Sequence, residues 1–399
     1  MLKTELNDFA ERYFALGLRI NKHINGYVEH YYGPLEIKRK VDLEDKVSLK
    51  VLLKDFYDLE KKLDKQGFES NRFNFFNKTF TAIETILKKI NGEKIPYIEL
   101  VEKLFDFTPK LYDEEIFYDL SSKAEEAYSG KGNLSQRMEH YVKKRKISQD
   151  RLELMFRKAL NITRRLTKKK FPNLLPKNEH FDVKLVKDKA WGMYNWYLGD
   201  FKSRIEINTS DFHYWTSLLS FACHEGYPGH HTDRCVKDLL LYRNKGYFEY
   251  CISLIYTPEF ALYEGMGEIA EDVIFSAKEL SRILLENFCP NPETEDTLEI
   301  LIKQCEIRRG FRTFNQNVAY HMHIDGWKKE DLISYCKMFK VLADSNIKSL
   351  LNFISNEIWG LYVLAYQGER IIRDKFGNPP TIGSFRKLIT EQNLTSDLI

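Results

Sequence analysis

Proline and glycine are scarce in this chain, whose 399 residues include 11 Pro and 20 Gly. Because these two residue types interrupt helices and strands, their scarcity predicts long uninterrupted elements. The chain contains 27 Phe and 23 Tyr, which offer large apolar surfaces for packing helices against one another. The composition therefore predicts a mainly α-helical fold.

The chain also lacks a strong excess of either charge, since 61 Lys and Arg oppose 58 Asp and Glu, a net charge of +3. A dedicated nucleic-acid binder usually carries a strongly basic face, so this near balance argues against that class of protein. Hydrophobic residues make up 43% of the chain and charged residues 30%, which is typical of a folded protein with a large core.

Long hydrophobic runs are missing as well. No stretch approaches the 18 apolar residues of a membrane-spanning helix, and the first eight residues include no apolar segment typical of a signal peptide. The six cysteines form no Cys-x-x-Cys pair, so we interpret them as reduced thiols. We therefore expect a cytoplasmic protein with no membrane partner and leave its oligomeric state open.

Residue types are unevenly distributed along the chain. Residues 1–190 contain no Trp and no Cys, whereas six of the ten His lie beyond that point. Up to Lys170 apolar residues recur at helical spacing, and Pro172 and Pro176 then interrupt the pattern. We predict an N-terminal helical region of residues 1–175 and a second region of residues 176–399 that holds the reactive residue types.

A change of periodicity follows Pro176. Apolar and polar residues alternate over 181–186 and again over Lys202–Asn208, which predicts two strands joined through an aromatic turn region at 191–200. After Thr209 the helical pattern returns. The fold class is thus mainly α with a small β-sheet.

Residues 224–231 differ from the rest of the chain, because three His and one Glu occur within eight positions. A His followed directly by Glu on a helix, with another His soon after, is the arrangement used for zinc hydrolysis. There, imidazoles hold the metal and the Glu acts as general base on a zinc-bound water. This pattern assigns His224 to the metal and Glu225 to the base.

The spacing to the second His is unusual, since Pro228 stands four residues after His224, where the common motif has its second His. On an unbroken helix His230 and His231 would lie about 9–10.5 Å further along the axis, too far to share one metal ion. Pro228 and the following Gly therefore predict a break that brings one of them back. We favour His230, and His231 stays open as the alternative.

A third ligand is expected from a helix that begins at Pro258 with Thr257 as its cap. Glu264 is the candidate, although neighbouring Glu residues on that helix also qualify. Glu268 or Glu271 can instead orient a ligand His. The glycines at 265 and 267 predict close packing of this helix against another.

The motif at 224–231, followed by Glu264-Gly265, resembles the bacterial proteins grouped as domain of unknown function 885, relatives of the gluzincin metallopeptidases. Further elements are similar to that family: Asn208-Thr209, His323-Ile324-Asp325-Gly326-Trp327, Leu364-Ala365-Tyr366-Gln367-Gly368 and Tyr32-Gly33-Pro34. The likeness is dense from about residue 190 to 375. The sequence departs from the family at Met266, where Trp is common, and it lacks the lipoprotein-type N-terminus of many members.

The resemblance implies a zincin-like architecture, with 176–399 as the catalytic region and His224, one of the paired His, and Glu264 as zinc ligands. It also implies that His323 and Tyr366 approach the site, where either would suit donation to the oxyanion.

The sequence therefore predicts a zinc metallopeptidase acting on short peptides, of aminopeptidase or carboxypeptidase type. The alternatives are a metal-dependent amide hydrolase acting on a small metabolite and a non-catalytic binding protein that retains the scaffold. We expect Lys202–Asn208 to be an edge strand that pairs with the substrate backbone. Arg308, Arg309 and Arg312 are expected on a solvated face, with substrate binding as the alternative.

Overall fold

A computed structural model describes residues 7–189, 191–290, 297–342, 344–356 and 359–399. The protein is mainly helical with small sheets, as the composition predicts. No helix in the described ranges is long and apolar enough to cross a membrane.

Helices dominate the first 170 residues. They are α1 (Asp8–Asn21), α2 (Leu35–Leu43), α3 (Leu49–Glu60), α4 (Ser70–Ile90), α5 (Tyr97–Phe105), α6 (Glu114–Ala127), α7 (Leu134–Lys144) and α8 (Gln149–Lys170), with strand β1 (Val28–Tyr31) after α1. The helical pattern predicted up to Lys170 ends with α8, along which buried apolar residues recur.

Three strands precede the motif. They are β2 (His180–Val186), β3 (Met193–Gly199) and β4 (Lys202–Asn208). The remaining elements are α9 (Leu218–Phe221), α10 (His230–Lys237), β5 (Ile252–Leu254), α11 (Pro258–Ile274), α12 (Ala277–Phe288), α13 (Leu298–Phe311), α14 (Phe314–His323), α15 (Lys329–Met338), α16 (Asp344–Ile354), α17 (Tyr362–Ala365), α18 (Gly368–Phe376) and α19 (Ile382–Thr390).

The three-stranded sheet has the order β2-β4-β3, with β2 parallel and β3 antiparallel to β4. Both predicted strands are confirmed. The aromatic segment at 191–200, which we expected to be a turn region, instead contains the whole of β3. Because β3 covers one side of β4 and β2 the other, β4 is the central strand and cannot be the predicted edge strand.

A second, two-stranded sheet joins distant parts of the chain. Strand β1 pairs antiparallel with β5, with Tyr31 opposite Ile252. Buried apolar residues from both predicted regions, among them Phe76, Phe156 and Phe260, belong to one core cluster. The division between residues 175 and 176 stays a prediction, and the core is continuous across it.

Candidate metal centre

The motif segment changes helix type at the reactive residues. After α9 the backbone widens into a π-helical turn over Ala222–Gly226, and α10 begins at His230. The Gly229 N–H donates to the Cys223 carbonyl across the break, at 2.9 Å. A Cβ atom at Gly229 would lie 2.1 Å from the His224 carbonyl oxygen, so the chain can fold back here only with glycine. The predicted break at Pro228-Gly229 is therefore present.

This fold-back brings three potential metal ligands together. The Nε2 atoms of His224 and His230 each lie 3.8 Å from an oxygen of Glu264. One ligand atom from each of the three residues lies within 4.8 Å of the other two. These separations are too long for hydrogen bonds. The two imidazoles and one carboxylate could hold a metal ion.

Helix α11 supplies Glu264 and fits closely against the motif. Thr257 caps its first turn, accepting from the Phe260 N–H, and Pro258 is the first helical residue. A Cβ atom at Gly267 would lie 2.8–3.0 Å from three atoms of the His224 ring, so this glycine makes room for the ligand. The close packing predicted from the helical glycines is confirmed.

Each of the three ligand side chains has a neighbour that orients it. The Nδ1 atom of His224 lies 3.4 Å from Glu268 Oε1, and the Tyr362 hydroxyl donates to Glu264 Oε1 at 2.7 Å. The ring of His230 stacks on Tyr263 with 3.9 Å between centroids. These contacts fix ring and carboxylate orientation in the way that supporting residues do around metal ions.

Glu225 lies beside the ligands and is tied to β3. The Asn195 side-chain amide donates to the Glu225 carbonyl oxygen at 2.5 Å. Glu225 is buried, with 6% of the residue exposed. Burial, with the nearby charge of Glu29, raises its pKa to about 8, against a hydrogen bond from the Asn195 backbone that lowers it.

The electrostatics of the cluster differ from those of other buried acids. Burial raises the pKa of Glu264 well above its usual value and lowers the pKa of His224 to about 4. Glu259 and Glu271 are also buried, but their arginine neighbours hold the pKa of each at about 2 against the effect of burial. Within the described ranges, Glu264 has no ion pair with Lys or Arg. The charge of Glu264 is therefore not offset by a direct ion pair with Lys or Arg in this part of the structure.

His231 turns away from the cluster. Its Nδ1 lies 2.7 Å from Ser203 Oγ and its Nε2 lies 3.3 Å from Glu179 Oε2, and the side chain is fully buried. Glu179 also accepts from the Tyr227 hydroxyl at 2.5 Å and pairs with Lys168. Of the two alternatives, the structure brings His230 to the cluster and uses His231 to join α10 to the sheet.

His323 and Tyr366 have different surroundings. The His323 ring stacks on Tyr97 at 4.4 Å between centroids, and its Nε2 donates to the Ile354 carbonyl at 2.9 Å. In the described part of the chain it makes no contact with the cluster, so its expected role as an oxyanion donor has no geometric support. Tyr366 is close: burial and the charges of Glu264, Glu268 and Glu225 raise its pKa well above the usual value.

The arginines of α13 are not on a solvated face, contrary to our expectation. Arg308 and Arg309 bind Glu271, at 2.8 and 2.7 Å. Arg312 binds Asp272 at 2.9 Å and also donates to the Glu268 carbonyl. These pairs join α13 to the ligand helix α11.

Three contributors to the site were missed in the sequence. Asn195 and Tyr194 belong to the segment interpreted as a turn, and burial together with Glu29, Glu264 and Glu225 raises the Tyr194 pKa. Tyr362 lies four residues before Tyr366, one helical turn away, which is the signal that could have found it.

Comparison with known proteins leaves the function open. No family model matches the chain, and no curated protein matches it. The crystal structure of a presumed lipoprotein from Colwellia psychrerythraea is similar, with a TM-score of 0.49 and 16% identity over 90% of this chain, which spans 64% of that protein. The structure of a presumed lipoprotein of unknown function from Shewanella oneidensis is also similar, with a TM-score of 0.47 and 14% identity. The match covers 96% of this chain and 83% of that protein.

Proposed function

We propose that this protein is a zinc-dependent hydrolase that cleaves a peptide bond in a short peptide, as an aminopeptidase or carboxypeptidase does. The observation that carries the proposal is the convergence of His224, His230 and Glu264. Glu225 follows His224 in the chain and is near enough to Glu264 for its charge to act there. The likeness to domain of unknown function 885, a gluzincin-like family, agrees with it.

A zinc ion fits this set of donors. Imidazole nitrogen and carboxylate oxygen are the usual ligands of catalytic zinc, and three protein ligands leave a position for water or substrate. The two 3.8 Å separations between ligand atoms are shorter than the sum of two zinc–ligand bonds of about 2.0–2.2 Å. A divalent cation would also favour charged Glu264 and neutral His224, supplying a positive charge beside the Glu264 carboxylate.

When bound, zinc supplies Lewis-acid chemistry, because it polarises a carbonyl oxygen and makes water more acidic. In this proposal Glu225 takes a proton from the water that attacks the carbonyl carbon, and delivers it to the amine nitrogen as the C–N bond breaks. The Tyr366 hydroxyl stays protonated in its buried position and donates to the carbonyl oxygen as negative charge develops there.

We assign the binding of the substrate backbone to strand β3. This strand is an edge of the sheet, and Asn195 joins it to Glu225. An extended peptide can form main-chain hydrogen bonds with an edge strand. It cannot do so with β4, which has a strand on each side. The half-buried rings of Trp191, Tyr194 and Trp196 pack within 4.6–6.0 Å of one another beside this position. They offer an apolar surface for a substrate side chain.

Metal analysis and one substitution test the proposal. Protein purified without chelators should contain one zinc per chain. His230→Gln should lose the zinc, whereas His231→Gln, its matched control one residue away, should keep it. Glu225→Gln should retain zinc and lower turnover of di- and tripeptides by about 10²–10⁴-fold, the usual effect of losing a general base.

Absence of zinc from protein prepared in zinc-replete medium would refute the metal site. Unchanged turnover by Glu225→Gln would refute the mechanism. Peptides blocked at one end distinguish trimming from the amino end from trimming at the carboxyl end. Hydrolysis of N-acyl amino acids without any peptide turnover would identify a small-amide hydrolase instead.

A further inference from the structure

A cavity of about 430 Å³ lies among α7, α12, α13 and α14, apart from the metal centre. Its volume is within the range of about 300–1,000 Å³ that is typical of small-molecule sites. None of the three candidate ligands lines it, and neither does Glu225. The proposed hydrolase activity does not account for this cavity.

The walls of the cavity are mainly apolar. Leucine and aromatic side chains from three helices supply most of the surface: Leu280, Leu284, Leu301, Phe311 and Phe314. An apolar ligand body would gain free energy by leaving water for these walls, at roughly 25 cal/mol per Å² of apolar surface removed from water.

The charged groups of the cavity all have the same sign. Arg145, Arg308 and Arg312 line it, and none of the described lining residues is acidic. A ligand with a negative charge therefore meets no carboxylate on the cavity wall. Arginine is also the side chain best suited to binding a carboxylate.

Arg308 has side-chain donors that remain available to a ligand. Its Nη2 donates to Glu271 at 2.8 and 2.9 Å, and its side chain is 35% exposed. Its Nε and Nη1 donate to no residue in the described part of the chain. Because Glu271 already offsets part of the charge of Arg308, the remaining attraction suits one negative charge better than a doubly charged phosphate.

We propose that this cavity binds a small hydrophobic carboxylate. The apolar body lies against Leu284, Leu301 and Phe314, and the carboxylate accepts hydrogen bonds from Arg308. The proposal is independent of the hydrolase activity.

Calorimetric titration with octanoate and with 1-octanol, which share an apolar chain, tests the proposal on the full-length protein. Octanoate should bind at least tenfold more tightly than octanol. Arg308→Met should weaken octanoate binding at least tenfold and leave octanol binding unchanged. Val142→Trp, at a half-buried lining position, should weaken both ligands at least tenfold by filling the cavity. Leu154→Trp, at a position 73% exposed on α8, is the control and should bind both as wild type does.

Equal affinities for octanoate and octanol would overturn the assignment of a carboxylate. Wild-type affinity in Val142→Trp would overturn the assignment to this cavity, and this variant remains informative if Arg308→Met does not fold. No saturable binding of octanoate would overturn the proposal as a whole. Glu225→Gln should bind octanoate as wild type does, so failure of the hydrolase proposal can be told apart from failure of this one.

Discussion

Tyr362 donates a hydrogen bond to the carboxylate of Glu264, and the other two candidate ligands also have neighbours that orient them. Tyr362→Phe removes only the hydroxyl, so Glu264 should lose its fixed orientation and zinc affinity should fall by about 10–100-fold. Competition with a chelator of known affinity measures the change.

Tyr366→Phe is the matched control for this substitution. The ring of Tyr366 lies 5.6 Å from that of Tyr362, but we assign its hydroxyl to the reacting carbonyl. This variant should keep wild-type zinc affinity and show reduced kcat. Equal zinc affinities in both variants would show that Tyr362 does not support the ligand.

The choice between His230 and His231 could not be made from the sequence. Neighbouring residues on a helix point about 100° apart, so one faces the metal ligands when the other faces elsewhere. Which one does so depends on the partners of His231, and these are Glu179 and Ser203, on other elements. Glu179 shows no pattern in the sequence that marks it as buried.

At the scale of elements, the packing of α11 against the π-helical turn sets the geometry of the cluster. Gly267→Ala would place a methyl group 2.8–3.0 Å from the His224 ring. Alanine favours a helix by about 1 kcal/mol over glycine, so the fold should survive while the ring is displaced. We expect zinc affinity to fall at least tenfold, with little loss in the free energy of unfolding measured in urea.

Gly383→Ala on α19 is the control, because its Cβ would meet no atom closer than 3.8 Å. This variant should have a slightly higher free energy of unfolding, because alanine favours a helix over glycine, and should keep wild-type zinc affinity. If Gly267→Ala also kept wild-type affinity, the proposed role of Gly267 in seating His224 would be wrong.

Some elements followed directly from local sequence. The cap of α11, the break before α10 and the strands β2 and β4 each depend on Pro, Gly, Thr or alternation within a few residues. Strand β3 did not, because its buried face carries the polar Asn195 while the more exposed face carries Tyr194, Trp196 and Leu198, so the residue types do not alternate as burial does. The ion pairs of the α13 arginines could not be predicted from local sequence either, since their partners lie on another helix, α11.

For the whole molecule, buried ion pairs predict a dependence of stability on pH. Burial alone would raise the pKa of Glu271, but Arg308, Arg309 and Arg312 hold it at about 2, below the usual 4.5. A carboxyl group with a lowered folded-state pKa stabilises the fold fully above pH 4.5 and loses that effect as pH falls towards 2. Glu271→Gln should therefore be less stable than wild type by about 3 kcal/mol at pH 7.

The stability difference between Glu271→Gln and wild type should shrink by about 1 kcal/mol at pH 4 and by about 2 kcal/mol at pH 3. Urea unfolding at each pH gives the values. Glu306→Gln, at an exposed position on α13, should differ little from wild type throughout. A constant difference for Glu271→Gln between pH 7 and pH 3 would contradict the low pKa.

The pairing of β1 with β5 has a consequence for synthesis on the ribosome. Tyr31 pairs with Ile252, which lies about 220 positions later in the chain. Glu29, also in β1, forms an ion pair with Arg234 of α10. Contacts this distant in sequence form late and slow the search for the native state. A nascent chain released before β5 emerges would leave β1 unpaired, and a fragment starting at residue 176 would lack β1 altogether. We therefore expect the metal centre to mature only after most of the chain has been made.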